Sequence, residues 1–448
     1  MKKALLAAAL AGAAVAGVIV AVVVSSGSDS GSAPPSSTPT PSRTTPSRTT
    51  RTRPATTTRP RPSATTSATA PVNTNGLRLP PTPGPGSPRA RTLVVGVVDD
   101  ALAQADPSFT QSQVDLSRQA GFGAAMISAT WKHGLRRPPP SLVRVLRNVA
   151  GASQRDHMRL FVMVWHGLAP GTPRTPADRA EFAAFAAQVA EDVPRAHAIV
   201  VGNEPNLNTF WKPQFGPGGR DLAAVGYERL LADSYDAIKR VAPHVLVLGG
   251  ALSPRGGDRP HGSRPTHSPT AFIRDLGAAY RGSGRNRPLM DGFAFHPYMQ
   301  FSHVSPRESH PRNTSITIAD YPKLVALLEE AFQGTAQPGE RLPIYYTEFG
   351  VQTTVPSAKR SFYTNARAPG RSDSVGFATQ AAYYRQALAL ALCQPTVKGL
   401  FVFHTFDEAD YGGWQSGLYF ADRTPKPSLG LFRRAVADLR AGKLTTCR

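Results

Sequence analysis

The chain has 448 residues and a net charge of +21, with 41% hydrophobic residues, 42 prolines and two cysteines. That apolar share gives a globular core, and once the low-complexity N-terminus is set aside, about 360 residues remain, enough for one large barrel or two ordinary domains. A basic chain raises the question of nucleic acid, but residues 1–90 alone hold ten Lys and Arg against one acid. The remaining arginines are scattered without an aromatic-basic motif, so no nucleic-acid partner is expected.

Lys2 and Lys3 precede an uncharged apolar run from Ala4 to Val24, close to the roughly 20 residues that span a bilayer. The run reads as an uncleaved signal anchor, with a removed signal peptide as the alternative. Either way the rest of the chain is expected outside the cytoplasm, with membrane contact through this segment only. Residues 25–90 are rich in Ser, Thr, Pro and Arg and cannot bury apolar surface, so they read as a disordered tether. Residues 91–448 form the folded domain. In an exported protein Cys393 and Cys447 are expected to pair. Neither lies in a Cys-x-x-Cys or Cys/His arrangement, so neither a metal centre nor a cysteine nucleophile is expected.

From Thr92 onward apolar runs alternate with amphipathic stretches. Leu93 to Val98 reads as a strand ending at Asp99-Asp100, followed by a helix from about Ser108 to Ala120. Gly123 to Ala129 is a second strand, ending near Trp131, and Ser141 is expected to cap a helix whose Leu142, Val145, Leu146 and Val149 share a face. Arg159 to Val164 is a third strand, ending in Trp165-His166. The next helix opens at Thr175-Pro176-Ala177-Asp178, with a capping threonine, a proline in the first turn and an acid facing the dipole. Ala198 to Val201 is the fourth strand, and a helix from Asp221 to Val241 follows. Val245 to Leu248 is the fifth, ending in Gly249-Gly250, and Ser268-Pro269 opens its helix. Asp291 to Phe295 leads into His296-Pro297-Tyr298, with a helix from Asp320 to Phe332. The run from Leu342 closes on Glu348 and is followed by a helix from Val375 to Leu392. Val397 to Phe403 and Ser428 to Arg440 complete the series. Eight uninterrupted βα units predict an α/β fold, a single (β/α)₈ TIM barrel, over a doubly wound open sheet.

The fourth strand ends in Gly202-Asn203-Glu204-Pro205 and the seventh in Thr347-Glu348-Phe349-Gly350, so each delivers a carboxylate to the face where barrels carry chemistry. Two such carboxylates are the minimum equipment of a retaining glycoside hydrolase. With His296-Pro297-Tyr298 and the closing segment Thr424-Pro425-Lys426-Pro427-Ser428 in order, residues 92 to about 440 resemble glycoside hydrolase clan A, nearest to its family 5 and family 39 neighbourhoods. The resemblance implies Glu204 as acid/base, Glu348 as an ionised nucleophile, Asn203 bonding the sugar 2-hydroxyl, Tyr298 bonding the nucleophile and His296 beside the acid/base. The chain departs from family 5 in lacking an arginine at the end of strand two, and Phe403-His404 stands where the clan often has tryptophan. Trp414 is expected to supply a sugar platform instead, with Trp165 and His166 also lining the site. Trp131 and Trp211 are open between core and stacking roles. Asp99, Asp100, Asp407, Glu408 and Asp410 are expected as loop caps or cleft walls, with Asp407 or Glu408 able to bond a sugar hydroxyl.

The reading at this point is a monomeric, surface-tethered or secreted enzyme that cleaves a β-linked glycan without metal or organic cofactor. A non-catalytic carbohydrate-binding barrel and a transglycosylase remain as alternatives.

Overall fold

The computed structural model describes residues 93–444 together with Leu77. The apolar run 4–24, the tether 25–90 and Cys447 lie outside the described residues. Within them, no helix is long and apolar enough to cross a membrane. Cys393 ends a helix and is disulfide-bonded.

Eight parallel strands close into one barrel in sequence order. They are β1 (Val94–Val98), β2 (Ala124–Thr130), β3 (Arg159–Trp165), β4 (Ala198–Val201), β5 (Leu246–Leu252), β6 (Gly292–Phe295), β7 (Ile344–Phe349) and β8 (Val397–Phe403). Closure comes from β1 pairing with β8, in register from Val94 opposite Gly399 to Val98 opposite Phe403. Around them run α1 (Pro107–Ala120), α2 (Pro140–Arg155), α3 (Pro176–Asp192), α4 (Leu222–Val241), α5 (Pro269–Gly282), α6 (Tyr321–Phe332), α7 (Phe377–Cys393) and α8 (Ser428–Arg440).

Strand alternation divides the apolar residues between two cores. On β3, Phe161, Met163 and Trp165 join the cluster inside the barrel, while Leu160, Val162 and Val164 join the one beneath the helices. The interior is filled, not hollow. The Phe161 ring meets Phe401 edge-on at 4.7 Å and Tyr345 at 5.7 Å. Phe401 fits because Gly96 faces it on the neighbouring strand; a Cβ there would stand 2.4 Å from the ring. Small-against-large packing of this kind lets the sheet close without a void.

Local chemistry sets the helix starts, with two corrections to the sequence reading. Thr175 is the predicted cap, joined by Asp178 in a reciprocal capping box, and Ser268 accepts from the Ala271 amide. Ser141 does not cap α2: the helix begins one residue earlier, at Pro140, behind Pro139. Proline's fixed φ already suits the first helical turn, where its missing N–H costs nothing. Strand β5 also runs past Gly249-Gly250 to Leu252, through a register shift at Ala251, whose φ is +48°.

The segment 424–428 is anchored by a buried ion pair. Lys426 Nζ donates to Asp407 Oδ1 at 2.6 Å, Thr353 Oγ1 at 2.8 Å and the Gln415 carbonyl at 2.9 Å, using all three ammonium protons. Asp407 Oδ2 accepts from the Tyr363 hydroxyl at 2.7 Å, and Gly417 N–H donates to Oδ1. Both side chains are fully buried, so Asp407 is a strut of the eighth loop and not a sugar ligand. Removing one partner leaves an uncompensated charge. Lys426→Met is expected to lower stability by about 3–5 kcal/mol, read as a fall in the urea midpoint at pH 7. The double variant Lys426→Met/Asp407→Leu should recover much of that loss.

Candidate active site

The turn after β4 sets the position of Glu204. Gly202 has φ +83° and Glu204 φ +40°, so the chain leaves the strand through left-handed conformations. Glycine adopts these without penalty, whereas a non-glycine residue stores of order 1–3 kcal/mol of strain. The strain is held by neighbours. Glu204 N–H donates to the Ala251 carbonyl at 2.8 Å. The buried Tyr227 hydroxyl donates to Val201 O and accepts from Gly250 N, both at 2.7 Å, fastening the tip of β4 to β5. Asn206 completes the link: its amide donates to the carbonyls of Ser253 and His267 and accepts from Ser253 N–H.

Glu348 projects from β7, and the residues after β6 bring it together with Glu204. His296 Nδ1 lies 3.1 Å from Glu204 Oε1 and 3.6 Å from Glu348 Oε2. These two oxygens are therefore no farther apart than the two distances laid end to end, about 6.7 Å. Tyr298 donates its hydroxyl proton to Glu348 Oε2 at 3.0 Å. The glutamate side chains are 14% and 12% exposed, open enough to meet a ligand and dry enough for strong electrostatics.

Burial above all pushes the Glu348 carboxyl up to about 7; the neighbouring Glu204 adds to the rise, while His296 and the Tyr298 hydrogen bond oppose it. Full ionisation of Glu348, expected from sequence, is therefore reached only above neutral pH. For His296 burial alone pulls downward, but the carboxylates of Glu348 and Glu204 outweigh it and the imidazole is raised.

Among the described residues, several buried polar atoms near the strand ends lack a protein hydrogen-bond partner. They include Asn203 Oδ1, Trp165 Nε1, His296 Nε2, Thr347 Oγ1 and Arg255 Nε. Native interiors leave few such atoms, and Asn203 and His296 carry theirs next to Glu204, one in sequence and the other in contact with it.

The other residues singled out in the sequence divide. Trp414 is half-buried, with its ring 5.2 Å from Tyr298, the residue that bonds Glu348, and 5.3 Å from Phe403. Trp165 packs inside the barrel mouth against Phe210. His166 is buried edge-on to Trp211, and burial holds it neutral with its pKa down to about 4. Trp131 and Trp211 are 0% and 3% exposed, which leaves no face for a sugar. Asp99 caps the loop after β1 and binds the amides of Thr405 and Phe406. Glu408 accepts from Trp414 N–H, and burial first of all pushes its carboxyl up to about 7.

Sequence reasoning missed one contributor, Arg255, and gave another, Asp100, only as a loop cap or cleft wall. Arg255, beyond the tip of β5, donates from Nη1 to the Tyr298 carbonyl at 3.3 Å. Burial lowers its pKa to about 10, with Glu204 pulling the other way, so a cation stands near the Glu204 carboxylate. An arginine three residues past a barrel strand was the available signal. Asp100 is raised to about 6, mainly by burial, and its charge acts on Glu348. Metal-ligand spacing occurs elsewhere: Asp221, His267 and Asp275 converge within 4.8 Å of one another behind the β5 loop, a grouping the sequence did not reveal.

The chain matches no family model and no curated protein. Solved structures do share its architecture. A GH5_18 variant from Streptomyces cattleya in complex with Manb1-4GlcNAc covers 78% of this chain and 81% of its own, at 17% identity and TM-score 0.50. A β-glucosidase from Thermotoga maritima covers 73% and 86%, at 13% identity and TM-score 0.49. The exo-β-1,4-mannosidase Op5Man5 from Opitutaceae bacterium strain TAV5 covers 84% and 62%, at 15% identity and TM-score 0.47. At 17% identity the likeness to the GH5_18 structure is one of fold alone.

Proposed function

We propose that the chain is a retaining glycoside hydrolase acting on a β-linked oligo- or polysaccharide outside the cytoplasm, with Glu348 as nucleophile and Glu204 as acid/base. The observation that carries the reading is the convergence of both carboxylates on His296 Nδ1, at 3.1 and 3.6 Å. The resulting ceiling of about 6.7 Å on this one pair of oxygens is compatible with the ~5–5.5 Å of a retaining pair.

Glu204 protonates the glycosidic oxygen as the leaving group departs, while a Glu348 carboxylate oxygen attacks the anomeric carbon. Water then cleaves the glycosyl ester, with Glu204 taking its proton. Tyr298 and His296 stabilise negative charge on Glu348, and Asn203 Oδ1, which has no partner among the described residues, is free to accept a sugar hydroxyl. Trp414 beside Tyr298 offers an apolar face for a sugar ring. Placement outside the cytoplasm rests on the apolar run from Ala4 to Val24.

Residues 91–448, assayed on a panel of aryl β-glycosides with product analysis, are expected to release free sugar. Transferred sugar would indicate a transglycosylase, and binding without turnover a carbohydrate-binding barrel. Glu348→Gly should abolish turnover, and Glu204→Ala should lower it by about 10²–10⁴-fold, least for activated aryl leaving groups that need no proton. Intact turnover in both variants would remove the assignment.

The pH profile provides a second check. Glu348 attacks only as the anion, so kcat/KM should fall as pH drops through about 7, where Glu348 takes up its proton. The Tyr298 hydrogen bond favours the anion. Tyr298→Phe should therefore shift this acidic limb to higher pH as well as lower the plateau; an unmoved limb would mean that another group governs it.

A further inference from the structure

Three side chains from three segments meet behind the loop that follows β5. Asp221 precedes α4, His267 ends the loop, and Asp275 lies in α5. One ligand atom from each falls within 4.8 Å of the others. The hydrogen bonds around them fix what each atom presents.

His267 Nε2–H donates to the Gln214 carbonyl at 3.1 Å. A carbonyl only accepts, so the ring proton sits on Nε2 and Nδ1 offers a lone pair. That lone pair faces Asp221 Oδ2 at 3.3 Å. Asp221 Oδ1 is occupied by the Ala224 amide at the start of α4, but Oδ2 has no hydrogen-bond donor among the described residues, in a side chain 2% exposed. Two acceptors therefore confront each other in a dry site. The carboxylates of Asp258 and Asp275 add negative potential, and Asp258 Oδ1 already accepts from Ser268 N–H. Such a contact needs a positive species between the acceptors.

We propose that Asp221 Oδ2, His267 Nδ1 and an Asp275 carboxylate oxygen bind one divalent transition-metal cation of the Zn2+ or Mn2+ type. Tetrahedral coordination with bonds of about 2.0–2.1 Å places adjacent ligand atoms about 3.4 Å apart, close to the observed 3.3 Å. The His267 Nε2–H bond to a backbone carbonyl is the support that metal-bound imidazoles usually have. One imidazole with two carboxylates suits Zn2+ or Mn2+ better than Ca2+, which takes only oxygen. Asp275 is partly exposed, giving the ion a route from solvent. The ion is structural: it ties the β5 loop to α4 and α5. Asn206, two residues beyond Glu204, grips the same loop through the carbonyls of Ser253 and His267. The rival occupant is a proton on Asp221, which burial first of all pushes up to about 8.

The test uses the full chain, stripped with chelator, loaded with Zn2+ and desalted, with bound metal counted by mass spectrometry. A parallel Co2+ loading reports coordination through visible absorption. The expected result is one ion per chain, a tetrahedral Co2+ spectrum and a melting temperature raised by Zn2+. Affinity should fall at least 100-fold in Asp275→Asn and in His267→Gln. Asp275 does not cap a helix, so Asp275→Asn retains the fold, checked by circular dichroism, and separates lost binding from misfolding. Retention of less than a tenth of an ion per chain would overturn the proposal and leave the proton as occupant. Equal retention in both variants would overturn it too, by placing the ion at other histidines.

Discussion

Pairing of β1 with β8 turns eight separate strand ends into one ring, and every feature of the site depends on that closure. Glu204 and Glu348 are 144 positions apart in sequence and sit on strands that do not pair with each other. Only a closed sheet points both into one mouth. His296, from β6 between them, reaches both carboxylates with a single nitrogen. The barrel interior, filled by Phe161, Phe401 and Tyr345, gives this ring a solid floor, so the glutamates cannot relax inward.

Gathering charge at a dry mouth is costly, and the costs are visible. Glu204, Ala251 and His404 all hold left-handed backbone just past or within strand ends, each storing of order 1–3 kcal/mol. Glu348 is raised to about 7 and Asp100 to about 6, burial being the leading cause in both. These groups are compensated unequally. Glu348 has Tyr298 and a raised His296, while Asp100 has the Ser128 amide at 2.7 Å. A site that needed only to be stable would not concentrate strain and like charge in this way, and carboxyls poised near neutrality cluster at functional sites.

The fold was legible in the sequence because each strand is a short apolar run and several helices begin with a recognisable stop. Thr175-Pro176 and Ser268-Pro269 are examples. The meeting of the two glutamates was legible because each stands at or just past the C-terminal end of a strand, and in a closed parallel barrel those ends share one face. What escaped depends on long-range partners that no local pattern encodes. Ser141 looked like a cap, but Pro140 started the helix first. Asp407 looked like a cleft residue because Lys426, 19 positions later, gives no local sign of reaching it. The end of β5 was misplaced because Gly249-Gly250 reads as a stop, although a bulge at Ala251 carries the strand on to Leu252. Trp131 and Trp211 sit at loop starts, where sugars bind, yet burial removes both from contact.

The loop 253–268 joins these observations. At one end Arg255 reaches the Tyr298 carbonyl and places its cation near Glu204. At the other, His267 joins Asp221 and Asp275. Asn206 binds both ends at once, through Ser253 and His267, only two residues after Glu204. Any shift of His267 is therefore passed to Asn206 by a buried hydrogen bond and to the turn holding Glu204 by the backbone. For the proposed acid/base such rigid support matters, because misplacement of about 1 Å can cost about 10²-fold in rate. By contrast, Glu348 lies within a paired strand and takes its rigidity from the barrel itself. The two glutamates are thus held by different means, one by the sheet and the other by a loop anchored at both ends.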